Sequence, residues 1–188
     1  MLQHAFKEWG VVCRALAIGQ QSIILRKGGI SDPNGLFTPE HLRFWLFPTF
    51  VHQQADGVKS EAKLLLDQVT RPPDGVLRLT HFAEVSGVYH VEQEFGALLL
   101  DDMHIWSEAT VRMKFEYRRP GLFVLPVRIF AIPQPIEVVD RPEYVGCKTW
   151  VELEHPISTD GAVPVLSDRA FDDVKEKLDR LLNPTMLA

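Results

Sequence analysis

Residues 122–132, LFVLPVRIFAI, carry the strongest strand signal in the chain. Branched and aromatic side chains dominate the run, which suits a pleated surface covered on at least one side. Pro126 lies inside it without an N–H to donate, so the sequence predicts a bulge or an edge position there. The segment that follows, PQPIEVVD (133–140), reads as a short return strand, and CKTWVELEHP (147–156) as another. Upstream, WSEATVRMKFEY (106–117) reads as a helix capped by Ser107, with Val111 and Phe115 four residues apart on its inner side and Pro120–Gly121 stopping it.

The same reading extends outward in both directions. VLRLTHFAEV (76–85) alternates in part and QSIILRKGG (21–29) carries an unbroken apolar centre, so both are expected strands. RFWLFPTFVHQQ (43–54) is apolar around Pro48, which makes it an edge strand or one that ends there. AFKEWGVVCRALAI (5–18) places Phe6, Trp9, Val12, Cys13 and Leu16 at helical spacing, with a strand through WGVV as the alternative. SEAKLLLDQVT (60–70) reads as a helix capped by Ser60. SDRAFDDVKEKLDRLL (167–182) is an amphipathic helix capped by Ser167, with Phe171, Val174, Leu178 and Leu181 inward. GGISDPNGLFTPEH (28–41) is a loop, RPPDG (71–75) is a turn, and residues 87–103 give no clear signal.

The elements mix without regular strand–helix–strand alternation. The expected class is therefore α+β: a single domain over 1–188, its core spanning about 5–157, with the C-terminal helix at 167–182. The sheet would be small, mixed and curved or closed, with helices flanking it. A chain of 188 residues with 46% hydrophobic and 24% charged residues can bury one good core. The net charge of −5 gives no global attraction to nucleic acid or anionic lipid, so any basic site must be local. MLQHAFKEWG has no secretory pattern and no apolar run is long enough to span a bilayer, so the expectation is a cytoplasmic protein with no membrane partner. Cys13 and Cys147 stand far apart without a CxxC pattern and are expected as reduced thiols.

Candidate site residues fall in four places. LRKGGI (25–30) sets Arg26 and Lys27 at a strand end before two glycines, the parts of a phosphate site or of a solvated turn. Arg43 and Trp45 stand at one end of 43–54 and His52, Gln53 and Gln54 at the other, able to read polar edges or only to pack. HIW (104–106) sets His104 and Trp106 before a helix start, where Trp106 either stacks on a ligand ring or staples its own helix. RPEYVGCKTW (141–150) interleaves Arg141 and Lys148 with Tyr144 and Trp150, as stacking recognition of bases requires. The seven histidines show no metal-ligand spacing, so no metal and no cofactor are expected. GxSxG is absent, and EAK (61–63) matches a nuclease motif by letter only.

Four words in order, ILRKGGI, FWLFPTFVHQ, HIW and RPEYVGCKTWVEL, resemble a bacterial family known only as domain of unknown function 1802. The resemblance runs from about Phe6 to Leu153 and implies no activity. It does single out Arg26, Lys27, Trp45, His52, Gln53, His104, Trp106, Lys148 and Trp150. A second likeness, to ASCH and PUA-like barrels, rests on Gly19, Ser22 and Arg26 in the turn G-x-x-T/S-x-x-x-R, and implies a cleft for RNA or a nucleoside. The glutamate usual two residues before that arginine is Ile24 here, which weighs against a hydrolase.

The leading expectation is a nucleic-acid or nucleotide binding module, its partner RNA, DNA or a nucleotide. Arg26, Lys27 and Lys148 would contact phosphate, Trp45 or Trp106 would stack, and His52 and Gln53 would read polar edges. One rival is a hydrolase or nuclease with His52 or His104 as general acid/base. The other is an interaction module whose aromatic edge strand pairs with a second chain.

Overall fold

A computed structural model describes residues 1–27, 41–51, 53–146 and 148–183. The chain opens with strand β1 (Leu2–Trp9) and turns into helix α1 (Gly10–Ala17). The helix expected from residue 5 therefore begins five residues later, because β1 is held to period two by strands on both sides. Phe6 and Glu8 share one face of it. Gly10 marks the change of direction, where a Cβ would lie 2.9 Å from the Phe50 ring and 3.0 Å from Val69.

Then come β2 (Ile23–Arg26), β3 (Arg43–Thr49), α2 (Lys63–Asp67), β4 (Val76–Val85), β5 (Tyr89–Val91), α3 (Glu94–Leu98), α4 (Glu108–Glu116) and β6 (Leu122–Val139). β7 (Trp150–Ile157), β8 (Val163–Pro164) and α5 (Asp168–Leu182) complete the chain. The strands make one mixed sheet of order β2-β6-β4-β3-β1-β7, with β5 and β8 also on β6. β1 and β3 run parallel, and the other pairs are antiparallel. The sheet is open, so of the curved and closed alternatives the closed one falls.

Four expectations need correction. Residues 133–140 are not a return strand: β6 continues through them to Val139. The bulge sits not at Pro126 but around Pro133 and Pro135, where the register with β4 jumps from Leu79↔Ile136 to His81↔Ala131. Pro126 instead marks where β6 exchanges β5 for β4 as its neighbour. β3 is not an edge strand either, since β1 and β4 flank it; it does end just after Pro48, beyond the last β4 pair at Trp45. An aromatic edge open to a second chain is thus not formed there. Ser60 does not cap α2; its hydroxyl bonds Glu61, and the helix is a single short turn behind a 3₁₀ turn.

The unbroken apolar run of β3 follows from its place in the sheet. Phe44 and Leu46 enter one core, with α1, α4 and β2, while Trp45 and Phe47 enter a second on the opposite face. On that second face Trp45, Phe82 and Phe130 stand opposite one another across β3, β4 and β6. Trp45 meets Phe82 edge-on at 5.6 Å, and Phe82 stacks on Phe130 at 5.0 Å. Ser107 and Ser167 cap α4 and α5 through Thr110 N and Ala170 N, as expected. No helix among the described residues is long and apolar enough to cross a membrane.

Phe82 is the middle ring of the three and is buried. Phe82→Ala is expected to cost about 3–5 kcal/mol of unfolding free energy. Urea denaturation followed by circular dichroism measures it.

Candidate functional site

Adjacent residues of one strand end have opposite fates. Lys27 donates to the carbonyls of Phe115, Arg119 and Gly121, so its three N–H groups close the end of α4. Lys27, expected at a phosphate, here serves these three carbonyls. Arg26, the last residue of β2, turns its guanidinium over the Phe6 ring at 5.3 Å. Its Nε is buried and finds no acceptor among the described residues.

Lys114 comes to the same place from α4. Its ammonium lies 4.3 Å from the centre of the Trp106 ring, with no acceptor among the described residues. Burial lowers its pKa; Glu8 opposes that shift and Arg26 adds to it. Burial likewise disfavours the Arg26 cation, while Glu8 favours it. The three charges are thus close enough to act on one another. Glu8 itself is only 9% exposed and accepts the Trp9 N–H at 2.8 Å. Arg26 and Lys114, each lying over a ring of one core, and Glu8, on the same face of β1 as Phe6, thus border one part of that core.

Aromatic rings wall it. Trp9 meets Trp106 edge-on at 4.9 Å, and Phe6 meets Trp150 at 5.1 Å. Trp9 and Trp150 are half-buried, whereas Trp106 is 1% exposed. Trp9 is laid against the backbone of Gly57, where a Cβ would come within 2.6 Å of the indole. That backbone is fixed in turn, since Ser107 N donates to Gly57 O and Lys59 N to Ile105 O.

The remaining candidates scatter. Trp45 is fully buried in the other core, donating Nε1–H to Leu2 O, and offers no face for stacking a ligand. Trp106 precedes the Ser107 cap and lies beneath the ammonium of Lys114 from its own helix, a cation–π contact. Arg43 pairs with Glu84 across the sheet at 2.7 Å. Gln53 accepts the Val11 N–H at 2.8 Å and serves the N-terminus of α1, where Trp9 has no oxygen to offer. Lys148 is exposed and reaches Glu143 O at 3.2 Å. Cys13 is buried and free, its thiol pKa raised by burial and by Glu8. His52 and Cys147 lie outside the described residues. No group of three or more His, Cys, Asp or Glu that could hold a metal occurs among the described residues.

Of the expected residues, then, Arg26, Trp106 and Trp150 come together, and Glu8, Trp9 and Lys114 join them from outside the expected set. The missing signal was the period of residues 2–9. Read as a strand, Phe6 and Glu8 fall on one face, and a carboxylate on a buried face demands a cation.

The chain belongs to a family described as a domain of unknown function (DUF1802), whose profile matches residues 5–177. No curated protein matches it. Among solved structures it is similar to the crystal structure of ASCH from Zymomonas mobilis, at 12% identity and a TM-score of 0.47 over 92% of this chain and 93% of that one. A mutant form of that protein aligns at 11% identity and a TM-score of 0.45 over 94% of this chain and 98% of that one.

His104 is not in the site. It is 4% exposed with neither ring nitrogen partnered among the described residues. Burial, helped by Lys59, pushes its pKa down to about 4 from 6.5, so the ring is neutral at pH 7. Between those values the unfolded chain binds the extra proton. The contribution of His104 to stability is therefore complete above pH 6.5 and is lost as pH falls toward 4. It amounts to about 3 kcal/mol. His104→Leu is expected to flatten stability across that window, read from urea midpoints at several pH values.

Proposed function

We propose that the protein is a nucleic-acid or nucleotide binding module whose ligand phosphate is held between Arg26 and Lys114. The observation that carries the reading is the buried Arg26 Nε without a described acceptor, over the Phe6 ring, with the Lys114 ammonium 4.3 Å from the Trp106 ring of the same core. A buried donor such as Arg26 Nε is costly to leave unpaired, and an anion with several oxygens would satisfy it and meet the Lys114 charge as well. The half-buried Trp9 and Trp150 supply faces for bases on either side. Lys148, exposed two residues before Trp150, would meet a flanking phosphate. The overall charge of −5 is no obstacle, because the attraction is local.

A fluorescence-anisotropy titration of labelled single-stranded RNA, single-stranded DNA and duplex tests this at low and moderate salt. Binding should weaken as salt rises. Arg26→Ala and Lys114→Ala should each cost roughly 10- to 100-fold in affinity, the worth of a hydrogen bond to a charged group. Lys27→Ala should lower stability and spare affinity. Failure of every oligonucleotide to bind, or affinity unchanged in the Arg26→Ala/Lys114→Ala double variant, overturns the proposal.

A further inference from the structure

The turn RPEYVG (141–146) contributes nothing to the site above, yet it is held from several sides. Lys7 Nζ donates to the carbonyls of Tyr144 and Gly146, and Lys148 Nζ reaches the carbonyl of Glu143. The Tyr144 ring is buried edge-on to Phe47 at 6.3 Å. Its hydroxyl accepts the backbone N–H of Glu154 at 3.1 Å, and Arg141 pairs with the Glu154 carboxylate. We infer that this turn is a plug on the open edge of the sheet, which keeps β7 from pairing with the β7 of a second copy of the chain.

The direction of the backbone groups carries the inference. β7 ends the strand order, with β1 as its neighbour and no second strand beyond it among the described residues. Thr149 O accepts the Lys7 N–H at 2.9 Å, and Leu153 O accepts from Gln3 Nε2 at 3.0 Å. In an antiparallel pair alternate residues face the partner, so Thr149, Val151 and Leu153 turn their backbone groups toward β1. Trp150 and Glu152 turn theirs outward, and Glu154 sends its N–H to Tyr144. Such a row of outward groups is a template for pairing with another chain.

At Glu154 the Tyr144 oxygen takes the place of a partner strand's carbonyl. Beyond it the edge cannot propagate a ladder. Pro156 has no N–H, and the register with β1 shifts between His4↔Glu152 and Leu2↔Ile157. The length able to pair is therefore 150–154, and the plug removes its last donor. Charge works in the same direction. An antiparallel copy centred on Glu152 faces that residue with itself, and one centred on Leu153 faces Glu152 with Glu154, both unfavourable.

Amide hydrogen exchange followed by NMR tests the plug in the wild-type protein. The Glu154 amide should exchange at least about tenfold more slowly than the outward amide of Glu152, the worth of one hydrogen bond. Tyr144→Phe keeps the ring beside Phe47 and should abolish that difference. Tyr144→Phe/Glu154→Thr also removes the tie to Arg141 and one of the like charges. Sedimentation equilibrium should show it dimerising at least about tenfold more tightly than the wild type, through one regained backbone bond or more. Adding Glu152→Pro deletes an outward donor without touching the ladder to β1, and should reverse the gain. An unprotected Glu154 amide in the wild type overturns the proposal. So does a gain that survives Glu152→Pro, or a double variant that unfolds cooperatively in urea and associates no more than the wild type. Should the double variant not fold, Tyr144→Phe alone is judged by the same two outcomes.

Discussion

The pairing of β6 with four other strands is the constraint on which the rest of the molecule depends. Over Leu122–Val139 it takes β2 and β5 on its first part, then β4 and β8, with the change of partner at Pro126 and the loss of register at Pro133 and Pro135. Prolines cannot donate to a ladder, so they sit where the pairing changes or is interrupted. β4 then passes the order on to β3, β1 and β7. Both the Trp45–Phe82–Phe130 ladder on one face and the place of β2 at the end of the strand order descend from this strand.

The functional consequence appears at the end of β2. Arg26 and Lys27 leave that strand in different directions: one goes to the Phe6 ring and the Glu8–Lys114 charges, the other to the carbonyls at the end of α4. Lys27 and Lys114 are thereby linked, since the first secures the C-terminal end of the helix that bears the second. The site is then not a surface patch of basic residues. The proposed site draws its side chains from a β-strand, the end of another and a helix, with Glu8 on the strand. That makes it compatible with an acidic protein, because the field that matters is felt over a few ångströms rather than across the surface.

Much of the architecture was legible. The α+β class, β4, β6, β7, α4 with its Ser107 cap and α5 with its Ser167 cap all follow from local pattern and capping chemistry. Two kinds of error recur. At residues 5–9 a mixed apolar spacing satisfies both periods, and only the strands alongside choose between them. At Pro126 and Pro48 the missing N–H was correctly felt, but its structural solution was a change or loss of neighbour rather than an edge. Trp45, chosen for a ligand because it is an indole beside an arginine, turned out to face the second core, as an unbroken apolar run covered on both sides requires.

Short-range quantities follow from the sequence alone: which segments extend or coil, and where α4 and α5 start. These depend on propensity, capping and periodicity over a few residues. The gathering of Glu8, Arg26 and Lys114 around one core comes from the strand order instead. They lie on β1, β2 and α4, and no local pattern encodes the strand order that brings those elements together. The electrostatics there is a property of that arrangement, since Glu8 favours both cations while Arg26 disfavours the Lys114 charge.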